Sequence, residues 1–314
     1  WSNKVMDIIS PDLKQKLPPL KAADESIGSI SIDLVEQYKL DPSCKIDAGC
    51  GDNMYGAVGT GNVAPGIVTI SLGTSGTAYT CLSEPYIDPK GEIAAFCDST
   101  GNHLPLLCVS NLANGYNQVL EQYNLSHKDF VKRVENVPAG NKGRVLIPWY
   151  MGERTPDMPD ATPVYFGFGL DDFQPDILCR AVLEGHILNL YEGFRDMPVK
   201  PREIRLTGGL SQSKAWVQTI ADIFETEAVP VEGEGAALGA ALHAAWVWKK
   251  EAGESIDLND LVQPFVLLQE DRRCKPNPDH VKIHNRQKEL FSALSKRVRG
   301  LSADDPFALS KSMS

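Results

Sequence analysis

The chain has 314 residues, enough for one large domain or two ordinary ones with a substantial apolar core. Its formal charge of -10 comes without any basic block to offset the acids, which excludes nucleic acid as an expected partner. The most apolar stretch, Ala236 to Trp248, is interrupted by His243 and is too short to cross a bilayer, so no membrane partner is expected.

Residues Trp1 to Leu40 mix proline with charge and end in a short amphipathic helix pattern from Ile32 to Tyr38. Eight glycines then fall between Gly49 and Gly76. Within them, the β-branched residues of "IVTIS" predict a strand from Ile67 to Ser71, "LGTSG" a tight turn, and "TAYTC" a returning strand. Helical spacing recurs over Asn111 to Tyr123 and Asp176 to Phe194, and the Pro-rich "VLIPWYMGERTPDMPDATP" between them reads as an exposed loop. "EIRLTGG" predicts a strand running into glycines, followed by a helix whose inward face is Trp216, Val217, Ile220, Ile223 and Phe224. The small-residue helix "GEGAALGAALHAAW" is expected to press its backbone against a sheet, and beyond Pro264 only Lys282 to Val298 looks regular. This order predicts an α/β or α+β chain with a mixed sheet.

Seven cysteines, Cys44, Cys50, Cys81, Cys97, Cys108, Cys179 and Cys274, are scattered without a C-x-x-C pair or zinc-like histidine spacing. They read as reduced core thiols, which points to a cytoplasmic compartment. The sequence opens on Trp1 rather than Met and shows no targeting segment, so it reads as a fragment or processed product. The six histidines are dispersed and predict structural roles.

Three stretches can carry chemistry. The bare tip Gly73, Thr74, Ser75, Gly76 would turn backbone N–H groups and two hydroxyls toward an anion such as a phosphate. The same tetrapeptide also suits an ordinary hairpin that needs glycine for positive φ. A nucleophile elbow around Ser75 is excluded, because Thr77 stands where the second glycine of G-x-S-x-G belongs. Asp52 follows "AGCG", where an extended segment turns into a helix. An aspartate there is usually a plain helix N-cap, and it also suits a general base with room for a substrate hydroxyl beside it. Asn53 is placed to hold a further hydroxyl. Finally, Gly208 and Gly209 in "LTGGLSQSKAW" leave space for a base or ribose at a helix start, or make a packing turn; the spacing fits neither a Walker nor a Rossmann loop. Glu153 and Arg154 either form an internal salt bridge or reach a substrate.

In order, "GCGDN", "ISLGTSG", "IPWYMGERTP", "RAVLEG", "LTGGLSQS" and "EGAALGAAL" resemble the carboxyl-terminal part of the FGGY carbohydrate kinases, and among them the xylulokinases. The resemblance implies an actin-like (ribonuclease H-like) fold, ATP and Mg²⁺, and phosphate transfer to a sugar hydroxyl, with D-xylulose favoured. Other pentuloses or polyols, or a nucleotide-binding piece without turnover, stay open, as does a homodimer. It further implies that Asp52 is the catalytic base, Asn53 a sugar contact, Gly73 and Thr74 the second phosphate loop, and Gly208 and Gly209 the adenosine motif. Ser213 stands where relatives often carry asparagine, and Asp171 falls near another nucleotide-side position. No protein side chain is expected to form a metal site of its own. No D-x-G-T first phosphate loop occurs, so the resemblance implies that residues 1–63 finish an incomplete amino-terminal domain and residues 64–314 form the carboxyl-terminal one.

Overall fold

The computed structural model describes every residue except 234 and 314. The chain opens with helices α1 (Asn3–Ile9) and α2 (Leu13–Lys16), strand β1 (Ser26–Ser29), helix α3 (Ile32–Tyr38) and strand β2 (Lys45–Asp47), which pairs antiparallel with β1. Helix α4 (Asp52–Gly59) precedes strands β3 (Ile67–Leu72), β4 (Gly76–Thr80), β5 (Ile93–Cys97) and β6 (His103–Val109). Helices α5 (Ala113–Gln122) and α6 (His127–Glu135) follow, then an antiparallel pair, β7 (Val145–Ile147) and β8 (Val164–Phe166). The long α7 (Pro175–Phe194), strand β9 (Glu203–Thr207), α8 (Lys214–Phe224), strand β10 (Ala228–Pro230) and α9 (Gly235–Glu251) come next. Helices α10 (Leu258–Val262), α11 (Pro278–Val298) and α12 (Pro306–Lys311) complete the described chain. No helix among the described residues is long and apolar enough to cross a membrane.

Six strands form one mixed sheet in the order β10-β9-β3-β4-β6-β5. β10, β9 and β3 run parallel, whereas β3-β4, β4-β6 and β6-β5 are antiparallel. Strand alternation divides the chemistry between the two faces. Val68, Ile70 and Leu72 of β3, with Leu107 and Val109 of β6 and Ile204 and Leu206 of β9, join the main apolar core under α5, α7 and α8. The opposite face presents Thr69, Ser71, Thr77, Tyr79 and Cys108, and α4 packs there with a smaller cluster around Met54, Tyr79 and Leu106.

The expected hairpin and the strand before Gly208 are where the pattern placed them, and the whole predicted face of α8 is buried. The small-residue helix differs from expectation. It packs on another helix, α4: a Cβ on Gly59 would lie 1.7 Å from the Gly235 carbonyl oxygen, and one on Gly239 would lie 1.7 Å from the Tyr55 carbonyl oxygen. Only glycine allows two helix backbones this close. Glu234, part of that stretch, lies outside the described residues.

Three further departures have simple causes. Residues 145–149 are not exposed loop, because β7 pairs with β8 and buries Val145, Leu146, Ile147 and Trp149. Helix α6 carries a capping box, with Ser126 Oγ accepting from the Asp129 N–H and the Asp129 carboxylate accepting from the Ser126 N–H. Helix α11 begins at Pro278, earlier than its pattern suggests, since Asn277 caps the N–H groups of Asp279 and His280. The glycine-rich segment after α4 is braced: Thr60 and Asn62 are buried, Arg205 donates to the Thr60 carbonyl at 2.6 Å, and Asn62 Nδ2 donates to the Tyr79 carbonyl.

Candidate functional site

The β3-β4 turn is built so that its amides face outward. The carbonyls of Gly73 and Thr74 accept from the N–H groups of Leu112 and Ala113 at the start of α5. The N–H groups of Gly73, Thr74 and Ser75 donate to no protein acceptor among the described residues. Unpaired backbone donors of this kind are available to an anion.

On the α5/α8 side of the sheet end, this tip opens onto a hollow of about 750 Å³. Gly73, Thr74, Gly209 and Ser213 all line it. The two adjacent glycines serve different ends. Gly208 has φ +86°, and a Cβ there would meet the Leu72 carbonyl oxygen at 2.6 Å, so glycine is a requirement of the backbone. A Cβ on Gly209 meets nothing within 4 Å, so its bareness leaves open space toward the hollow. Ser213 is the N-cap residue of α8 but makes no capping bond, and its Oγ is buried without a partner. The 3-10 turn Gly209–Gln212 is held from outside by Arg272, which donates to Gln212 Oε1 at 2.5 Å and to the Ser211 and Gln212 carbonyls.

Sequence reasoning missed the other wall of this hollow. Lys128 and Lys132 stand four residues apart on α6 and, with Lys214, give the rim a positive charge in an acidic chain. Tyr116 and His127 also line it, with the Tyr116 hydroxyl 2.5 Å from His127 Nδ1. Burial pushes the Tyr116 phenol up to about 12, so it stays protonated. The S-x-x-D of the α6 capping box was the readable signal for this element. Beneath, His186 is wholly buried with Nδ1 2.6 Å from the Val182 carbonyl and Nε2 without a partner; burial depresses its pKa to about 4.

A second hollow of about 310 Å³ lies on the α4 side and is lined by Asp52, Asn53, Ser71, Tyr79, Thr207 and Gly208 among others. Asp52 is the first residue of α4, and the N-cap is Gly51, so the plain N-cap alternative for Asp52 does not hold. Its Oδ1 accepts from the Asn53 backbone N–H at 2.8 Å and from Asn53 Nδ2 at 3.1 Å, and the side chain remains exposed. The carboxylate is thus oriented by its neighbour with acceptor capacity left over. Burial, with the Asp52 carboxylate adding to it, raises the Tyr79 phenol well above its ordinary pKa.

The two hollows thus adjoin, divided by the ends of β3 and β9. Ser71 and Gly208 face the Asp52 side, whereas Leu72, Gly73 and Gly209 face the other. Among the described residues, no group of three or more His, Cys, Asp or Glu side chains is arranged to hold a metal ion.

Other sequence candidates are placed elsewhere. Glu153 is buried and accepts from the backbone N–H groups of Ser110 and Arg154 and the side-chain amides of Asn111 and Asn189, so no Glu153–Arg154 salt bridge forms. Asp171 sits in an exposed turn, Leu170–Asp172, that lines neither hollow. Of the cysteines, Cys81, Cys179 and Cys274 are buried, whereas Cys44 and Cys97 are exposed and not core thiols. His243 and His284 are buried with hydrogen-bonded partners, as structural histidines should be; His127 is the exception that faces a cavity.

Known proteins are similar to this chain over most of its length. Residues 68–248 match the FGGY family of carbohydrate kinases, C-terminal domain. The chain is 34% identical to a xylulose kinase of Haemophilus influenzae, over 93% of this chain and 59% of that protein. It is 29% identical to a gluconokinase of Bacillus licheniformis, over 95% of this chain and 60% of that protein. Among solved structures, the ligand-bound xylulose kinase of Lactobacillus acidophilus superposes with a TM-score of 0.85 at 23% identity, covering 95% of this chain and 61% of that one. The chain thus spans about three fifths of the length of these relatives. Its mixed sheet flanked by helices is the actin-like ATPase fold. With more than half its length matched, the chain belongs to the FGGY family of carbohydrate kinases.

Proposed function

We propose that the chain serves ATP-dependent phosphorylation of a sugar hydroxyl, with D-xylulose the favoured acceptor, and that it supplies the nucleotide side of the site. The supporting observation is the adjacency of the two hollows across the β3 and β9 ends, one with outward amides and a positive rim, the other with an oriented carboxylate. In this reading the adenosine lies against Gly208, Gly209 and Ser213, and Gly73 and Thr74 meet the outer phosphates. The open flank of Gly209 and the unpartnered Ser213 hydroxyl suit such a ligand. Mg²⁺ would travel with the phosphates and neutralise their charge. Asp52 accepts the proton of the attacking hydroxyl and Asn53 holds both that carboxylate and the sugar. Phosphoryl transfer asks the protein chiefly for alignment and electrostatics, and a positioned base adds ~10²–10⁴-fold. We further assign residues 1–63 to the end of a first domain and residues 64–314 to a second.

The xylulose assignment follows the Haemophilus influenzae relative, and the gluconokinase relative makes gluconate the first competing acceptor to try. The test is turnover of ATP with D-xylulose, D-ribulose, glycerol and gluconate, by wild type and by Asp52→Asn. Sugar-dependent turnover in wild type, lost by ~10²-fold or more in the variant with ADP affinity retained, is the expected result. Undiminished turnover in Asp52→Asn removes Asp52 as the base. ADP binding without turnover for any acceptor favours a nucleotide-binding chain that does no chemistry.

A further inference from the structure

Arg154 has no carboxylate partner among the described residues. Its neighbour Glu153 is saturated by four N–H donors, and among the described residues the only polar contact of the Arg154 guanidinium is Cys108 Sγ at 3.3 Å. Burial raises the Cys108 thiol's pKa despite that guanidinium, so the sulfur stays neutral and leaves the positive charge uncompensated. Arg154 is exposed, and its other guanidinium N–H donors meet no acceptor among the described residues.

Its position on the sheet decides what it can meet. Cys108 stands directly opposite Thr77, and Thr77 directly opposite Ser71, so the three form one row across β6, β4 and β3. Strand spacing puts Cys108 roughly 10 Å from Ser71 along that row. This is the face on which Asp52, Ser71 and Tyr79 line the smaller hollow, not the face of the larger one. Between them, Thr77 Oγ1 is buried without a hydrogen-bond partner. The sheet end beside Asp52 therefore continues into an unpartnered hydroxyl and a free guanidinium. A guanidinium offers a planar fork of donors, cannot act as a base, and matches two oxygens on neighbouring carbons.

We propose that Arg154 is an acceptor-side contact that hydrogen-bonds hydroxyl or carbonyl oxygens of the open-chain sugar whose terminal hydroxyl lies at Asp52. This rests on the kinase reading above and adds a specificity residue to it. The experiment compares wild type, Arg154→Gln and Arg154→Lys by steady-state kinetics with D-xylulose and by calorimetric titration with D-xylulose and, separately, ADP. Arg154→Gln is expected to weaken sugar affinity and raise its KM by about 10- to 100-fold, with ADP affinity, the KM for ATP and the melting temperature unchanged. Arg154→Lys, which keeps the charge but loses the fork, should fall between. Unchanged sugar affinity in Arg154→Gln overturns the proposal, as does an equal loss for sugar and ADP. A lowered melting temperature with sugar affinity intact also overturns it, by assigning Arg154 to a contact with protein. A wild type that binds D-xylulose without turning it over sinks the kinase reading alone, and the titrations still decide Arg154. A wild type that binds no sugar overturns both.

Discussion

Gly208 and Gly209 are neighbours with opposite reasons for lacking a side chain, and this makes them a matched pair of perturbations. At Gly208, φ +86° with ψ 170° is a conformation open essentially to glycine alone, and forcing another residue into it costs about 1–3 kcal/mol. The added methyl would also meet the Leu72 carbonyl at 2.6 Å, and overpacking against backbone adds roughly 1–3 kcal/mol more. Gly208→Ala should therefore lose about 2–6 kcal/mol of stability, read as the midpoint of urea unfolding. At Gly209 nothing lies within 4 Å of the added Cβ, so Gly209→Ala should leave stability unchanged or raise it by a few tenths of a kcal/mol. The same methyl would stand in the larger hollow, and a clash with bound nucleotide of about 1–3 kcal/mol weakens ADP binding by roughly 5- to 150-fold. Gly209→Val should weaken it further. Calorimetric titration of ADP into each variant reads the effect. Full ADP affinity in both Gly209 variants would refute the placement of nucleotide against this turn.

Glu153→Gln replaces two acceptor oxygens by one and turns an amide donor toward four N–H donors, so a loss of about 3 kcal/mol is expected in urea unfolding. His186, buried neutral with a folded-state pKa of about 4, binds a proton in the unfolded chain from about pH 6.5 downward. Its contribution to stability is thus complete above pH 6.5 and declines as pH falls toward 4, by about 3 kcal/mol in total. In His186→Leu the slope of unfolding free energy against pH over that window should flatten, whatever the offset in stability. Arg272→Gln, outside the matched family region, should raise the KM for ATP several-fold with the sugar KM unmoved, since Arg272 ties the Gly209–Gln212 turn to Gln269 and touches nothing at the smaller hollow. Parallel shifts in both KM values would count against that assignment.

The pieces of this fold that the sequence announces are those with a strong local signature. The β3-β4 hairpin combines β-branched strands with a glycine tip, and α8 shows the 3.6-residue period of a helix with one buried face. Strand β6 was hidden because Pro105 interrupts a run that otherwise reads as a strand, and β5 because "IAAFC" shows no alternation of apolar and polar residues. The amphipathic pattern of α3 was legible, but its apolar side chains Ile32, Leu34 and Tyr38 stay exposed, so the pattern told of a helix and not of what covers it. At the site, glycines were visible as gaps, yet a sequence cannot distinguish the glycine a backbone demands from the one that leaves a cavity open. Position 208 is the first kind and 209 the second. Lys128 and Lys132 carry no local signature of ligand contact, and for Arg154 the sequence left a salt bridge and a substrate contact open; their significance is the company that tertiary packing gives them.

The glycine seam between α4 and α9 has a mechanical consequence. With no side chain between the Gly59 and Gly235 backbones, or between Gly239 and the Tyr55 backbone, the two helices meet backbone against backbone and form one strut. One end of that strut bears Asp52, and the start of its partner borders the same hollow. A displacement of residues 235–236 by whatever occupies the cavity would therefore press on the helix that carries Asp52.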